Sequence, residues 1–175
     1  MQIRPLNLEE ISIRLFRSFC RRQEVTQCWR KENGAWQVRD VAFVDDWDAQ
    51  DYAFLVQCLR RTVQTGGVVF GAFLDGALKG FASVESAPLG TAGQYRDLTS
   101  LHVSQELRGR GIGRQLFQQA AGWARTQGGK KLYISAHSAV ETQAFYRAMG
   151  CVEAEEPQAI HYEKEPCDCQ LEYRL

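Results

Sequence analysis

The sequence predicts an α/β fold: a single domain over residues 1–175, with a mixed central sheet, helices on both faces and a small inserted hairpin. Three observations predict it. Runs rich in β-branched and aromatic residues alternate with runs whose apolar residues recur every three to four positions. Two dipeptides, Asn33-Gly34 and Asp75-Gly76, stand between strand-type runs, where tight hairpin turns need positive φ. No repeat or low-complexity linker divides the 175 residues, a length that suits one domain with a sizeable core.

Residues 2–6 read as a short first strand. Asn7 is placed to cap a helix over residues 8–23, with Ile11, Leu15, Phe16 and Phe19 at helical spacing and Glu9-Glu10 suited to its first turn. In CWRKENGAWQVRD, the Asn-Gly turn sets Lys31 opposite Trp36 and Trp29 opposite Val38. A second helix, about residues 48–64, stops at Gly66-Gly67. Strand runs on either side of Asp75-Gly76 are followed by a third, QYRDLTSLHVS. Ile112, Leu116, Ala120 and Ala124 then recur every four residues, an amphipathic helix ended by Gly128-Gly129. KLYIS is a strand, Ser138 and Glu141 have capping-box spacing, and the helix they open ends at Gly150. Two strands finish the chain. The last sets Cys169, Leu171, Tyr173 and Leu175 on a buried face and Gln170, Glu172 and Arg174 on the other.

Charge and composition exclude several classes of function. The chain has 21 basic and 21 acidic residues, its basic pairs are scattered, and no tract suits a nucleic-acid backbone. No apolar run reaches bilayer length, so no membrane partner is expected. MQIRPLNLEE is interrupted by Arg4 and Pro5 before it could serve as a secretion signal. Six cysteines in that context are expected to be reduced thiols in the cytoplasm. Cys167 and Cys169 lie near His161, but no second close ligand pair accompanies them, and no metal is expected.

The most specific stretch is ELRGRGIGRQL, residues 106–116. Its glycines at 109, 111 and 113 miss the dinucleotide fingerprint, and Arg114-Gln115 stands where a P-loop carries lysine and a hydroxyl residue. An arginine-glycine RNA-binding tail would repeat over a long tract, which this does not. There remains a strand-to-helix turn with free N–H groups, the positive end of a helix dipole, and Arg108, Arg110 and Arg114 beside it. Such a turn is a cradle for a phosphate-type anion.

Arg108-Gly109-Arg110-Gly111-Ile112-Gly113 resembles the Arg/Gln-x-x-Gly-x-Gly/Ala signature of the GNAT family of N-acetyltransferases, and Leu101-His102-Val103 resembles the strand ending before it. About thirty residues on, AFYRAMGC resembles that family's second motif, with Phe145, Tyr146 and Gly150 in place. The resemblance spans nearly the whole chain. It implies acetyl-CoA as cosubstrate, its diphosphate on Arg108 to Gly113 with Arg114 adjacent. The pantetheine arm would lie between the strand ending at Val103 and the strand Leu132–Ser135, with Phe145 close by. A backbone N–H near Val103 would polarise the acetyl carbonyl. Two departures stand out: Ser138-Ala139 replaces the family's usual asparagine region, and Cys151 replaces a phenylalanine.

By the same resemblance Tyr146 is the expected proton donor to the leaving thiolate. Asp97, in the strand before the turn, is the expected base; strict alternation puts it on one face with Thr99, Leu101 and Val103, and His102 on the other. His137 and a water chain are alternative proton acceptors. The acceptor is expected against Trp29, Trp36 and Trp47 with Asp45, Asp46 and Glu85 nearby, aromatic and acidic groups suited to a small cationic amine. Acetylation of a protein N-terminus or lysine, and a non-catalytic acetyl-CoA sensor, are the competing readings, and the chain is expected to act as a monomer or homodimer.

Overall fold

A computed structural model describes residues 1–175. Its elements in chain order are β1 (Gln2–Pro5), β2 (Arg22–Glu32), β3 (Ala35–Asp46), α1 (Ala49–Gln64), β4 (Val68–Leu74), β5 (Ala77–Val84) and β6 (Tyr95–Val103). There follow α2 (Ile112–Thr126), β7 (Lys131–Ala136), α3 (Val140–Ala148), β8 (Val152–Glu153), α4 (Ala159–Tyr162) and β9 (Cys169–Arg174). Seven strands form one sheet in the order β1-β4-β5-β6-β7-β9-β8, and β2 and β3 form a separate ribbon. Within the large sheet only β6 and β7 run parallel. No helix is long and apolar enough to cross a membrane.

Both hairpin signals hold. Asn33 and Gly34 have φ of 51° and 81°, Asp75 and Gly76 of 50° and 77°, the left-handed values that a tight hairpin turn demands. The Asn-Gly turn sets the register as expected, Lys31 opposite Trp36 and Trp29 opposite Val38. The hairpin is not small, however: β2 and β3 are 11 and 12 residues long. For α1, the Asp48 carboxylate accepts from the N–H groups of Gln50 and Asp51, and Asp51 accepts from that of Asp48, a complete capping box.

Each face of the sheet carries its own core. On one, Ile112, Leu116, Phe117, Ala120 and Ala124 of α2 pack against Phe70, Ala82, Leu98, Leu132 and Ile134. On the other, Leu55, Val56 and Leu59 of α1 pack with Ile11, Phe16 and Phe19 against Val69, Leu78 and Phe81. The helix expected over 8–23 does not form; only a 3-10 turn at Ile13–Phe16 appears, and β2 begins at Arg22. Its apolar residues reach the core without it. The carbonyls of Leu8 and Ile11, which a helix would satisfy internally, accept instead from the Arg60 guanidinium of α1.

Three further expectations are corrected. Ser138 does not cap α3: Ala139 is the N-cap residue, with no side-chain cap, and Ser138 Oγ accepts from Arg30 instead. The second face of β9 is not open to solvent, because Glu172 is buried, accepting from the Tyr95 hydroxyl and the Lys131 ammonium. Strict alternation along β6 also fails. Val84 pairs with Leu98 and Ser83 with Ser100, so Thr99 is an extra residue, a β-bulge. Beyond it Leu101 and Val103 pack toward α2, while His102 joins the opposite face with Trp47 and Phe81.

Candidate active site

Only three residue pairs join β6 to β7: Tyr95–Lys131, Arg96–Leu132 and Asp97–Tyr133. Beyond them β6 stays bonded to β5 and β7 to β9, so the two parallel strands part. Their facing backbone groups are left unpaired along a cleft, able to bond an extended ligand bearing amides. A cavity of about 760 Å³ fills the opening. It runs from Leu98–Val103 and Ser135–His137 to the turn after β6, with Phe145 and Tyr146 of α3 in its wall.

The turn is built as an anion cradle. Gly109 and Gly111 have φ of 75° and 79°, a conformation that side chains resist. Gly111 is the N-cap of α2, so no side-chain oxygen occupies the N–H groups of the first turn, and no acid stands there to oppose an anion. Gly113 has a different role: a Cβ there would meet the Phe145 ring at 3.2 Å, so its lack of a side chain lets α3 close on α2. The Nε of Arg108 donates to the carbonyl of Val103, 3.2 Å away. Of the expected coenzyme-binding residues, Leu101, His102, Val103, Arg108, Gly109, Gly111, Ile112, Gly113, Arg114 and Phe145 all line the cavity, and Arg110 does not.

Tyr146 is 6% exposed and lines the cleft. Burial pushes its hydroxyl well above the usual tyrosine range, with Cys151 and Asp168 adding to the effect, so it holds its proton at neutral pH. Asp97 lies one residue before the first lining residue, Leu98, where the strands begin to part. Its Oδ2 is 2.7 Å from Nε2 of His161 in α4, while its buried Oδ1 has no partner. The hydrogen bond to Asp97 raises the His161 pKa. His137 lines the cavity, but its Nδ1 accepts from the backbone N–H of Ala139, so the ring hydrogen sits on Nε2 and the ring presents a donor.

None of the six expected acceptor residues lines the cavity. The Asp45 carboxylate is 2.6 Å from Arg21, and Asp46 faces Arg22 at 3.9 Å. Glu85 accepts from the Thr62 hydroxyl. Trp29 carries the Arg147 guanidinium on its ring, and Trp47 packs against His102 and Arg21. Trp36 is tied to Glu153 of β8 through its indole N–H. The acids expected to hold a cation are thus committed to groups of the protein itself.

Residues not expected at the site complete it. Arg21, Gln23 and Glu24 line the cavity from the start of β2. The chain there bonds to Ser104 and Gln105, just past β6, while Trp29 bonds to Ser138, just past β7, so β2 spans the mouth of the cleft. Asp168 accepts from Ser135 at 3.1 Å, and burial raises its carboxyl pKa. Arg21 is hidden by the helix expected over 8–23, and Asp168 stands in no motif that marks it.

Parallel strands that part in front of an uncapped, glycine-rich helix start form a cleft for an extended ligand that ends in a phosphate-type anion. A family model described as the acetyltransferase (GNAT) family matches residues 23–151, and the chain belongs to that family. It is an acetyl-CoA-dependent acyltransferase by class. No curated protein matches the sequence. Among solved structures, a putative streptothricin acetyltransferase from Bacillus anthracis, in complex with acetyl coenzyme A, superposes with a TM-score of 0.74 at 16% identity, covering 99% of each chain. Nourseothricin acetyltransferase gives 0.71 at 16% identity, covering 99% of this chain and 97% of its own. A ribosomal-protein-alanine N-acetyltransferase from Brucella melitensis gives 0.63 at 19% identity, with both chains fully covered. At such identities the likeness carries the fold.

Proposed function

We propose that the protein transfers the acetyl group of acetyl-CoA to a primary amine of a small molecule. The observation that carries this reading is the parting of β6 and β7, with the glycine turn at one end and Tyr146 inside the opening. The backbone of Arg108 to Gly113 would hold the coenzyme's diphosphate, and the unpaired edges of Leu98–Val103 and β7 its pantetheine amides. Acetyl-CoA supplies the acyl group as a thioester. Attack by the neutral amine forms the N–C bond and breaks the C–S bond; Tyr146 gives its proton to the departing sulfur and regains one, through water, from the nitrogen as it becomes an amide. Asp97, one residue from the cleft lining, takes the ammonium proton at its unpaired, buried Oδ1, while His161 fixes its other oxygen.

Two likenesses support a small acceptor: two of the superposed structures are named for streptothricin and nourseothricin acetylation. The position of β2 across the cleft mouth supports it too, since it narrows the approach for a folded protein. The test is coenzyme A release from acetyl-CoA against a panel of primary amines, with the acetylated amine identified by mass. Release matched one-to-one by an N-acetylated product supports the reading. Tight acetyl-CoA binding without turnover on any amine or peptide would make the chain a sensor.

A further inference from the structure

Arg21 is the most unusual side chain in the cavity wall. It is 7% exposed and lines the cleft, yet only its Nη2 has a partner, the Asp45 carboxylate at 2.6 Å. Nε and Nη1 are buried with no hydrogen bond at all. A buried guanidinium with two idle N–H groups is costly, and folded proteins seldom leave such donors unmet without a use for them. The Trp47 ring backs its charge, 5.2 Å from Cζ, which fixes the plane of the group but satisfies neither N–H.

The surroundings favour an anion. Arg21 and Arg108 are close enough that each charge acts on His102, and burial, followed by the Arg21 charge, lowers the Arg108 pKa. The one carboxylate bonded to Arg21 is Asp45. Glu24, also in the wall, is paired with Arg22 at 2.6 Å, and Glu106 with Lys79 at 2.7 Å. Arg108, the second guanidinium of this wall, has no carboxylate bonded to it.

The side from which Arg21 enters says which anion. Past the Thr99 bulge, Leu101 and Val103 face the α2 core, and α2 carries the glycine cradle. Arg21 comes from the opposite face of β6, with Trp47 and His102. A diphosphate on the α2 side already meets the free N–H groups of that helix. The opposite wall is left for the other substrate.

We propose that Arg21 is a carboxylate subsite for the acceptor, so that the amine acetylated here carries a carboxylate, as an amino acid does. This rests on the N-acetyltransferase reading for the identity of the acceptor, but binding tests it apart from turnover. The probes are N-acetylated amino acids and their carboxamides, titrated calorimetrically into protein loaded with coenzyme A. At least one acid should bind about ten- to a hundredfold tighter than its own amide, the range lost with a charge-assisted hydrogen bond. Arg21→Gln should erase that difference while leaving coenzyme A affinity within about twofold; Arg21→Lys, which keeps the charge but not the fork, should retain part of it.

Because Arg21→Gln strands Asp45, the pair variant Arg21→Gln with Asp45→Asn is measured as well, each variant first shown to melt cooperatively. Equal binding of acids and amides, or no acid binding by the wild type, overturns the proposal. So does an Arg21→Gln variant that loses coenzyme A and not the acid, because the anion would then be a coenzyme phosphate. Discrimination between acid and amide without turnover on any amine would leave the subsite standing and remove the transferase reading.

Discussion

A tyrosine can protonate a departing thiolate only if it still holds its proton when the amine attacks, and Tyr146, raised further by burial above the ordinary value of 10, holds it at neutral pH and well above. Tyr146→Phe should lower kcat by about ten- to a thousandfold and leave acetyl-CoA affinity almost unchanged, the pattern of a lost general acid. Steady-state kinetics beside calorimetry checks this; unchanged turnover would make the residue part of the wall only. His102 gives a pH signature of another kind. Burial, with the Arg21 and Arg108 charges, pushes it down to about 3 from an ordinary 6.5. Between those values the unfolded chain binds the extra proton, so stability should fall as pH drops through that window. His161 has the opposite sign: its contribution is full below its unfolded pKa and is lost as pH rises through the raised folded value. Melting temperature against pH should therefore fall less steeply on the acid side in His102→Phe than in the wild type. That Gly109, Gly111, Gly113 and Tyr146 lie along one cleft could be expected from the sequence, because motif and spacing mark them. Arg21 could not, since its proposed role depends on Asp45 and Trp47 meeting it in space.

At the scale of elements, the glycine turn and the bulge position the site. Gly111 is held at φ 79° with nothing within 4 Å of where a Cβ would stand, so it is constrained by its backbone and by whatever approaches it. Gly111→Val should cost about 1–2 kcal/mol for the left-handed conformation and abolish acetyl-CoA binding. For a chain of this size that lowers the melting temperature by about 2–8 °C. A thermal scan with and without acetyl-CoA reads both effects, and ligand stabilisation equal to that of the wild type would contradict the cradle. Both hairpins, α1, α2 and β7 were legible because turn chemistry and apolar period agree there. The segment over 8–23 was not, since its apolar spacing fits a helix but its carbonyls are taken by Arg60. The bulge was equally hidden: one extra residue, Thr99, reverses the face of every residue after it, and nothing local announces it.

For the whole molecule, a formal net charge of zero gives no long-range field to steer a charged substrate, so selectivity rests on local groups such as the α2 cradle and Arg21. The α/β class and the two cores followed from the order of elements. The parting of β6 from β7 did not, because it depends on how far two parallel strands stay paired. That parting is the centre of the account, and hydrogen exchange of the backbone amides with and without acetyl-CoA measures it directly. The account predicts protection concentrated at Leu98–Val103, Arg108–Gly113 and Ser135–His137, with the outer ribbon strand β3 little changed. Protection elsewhere with none along the cleft would contradict it.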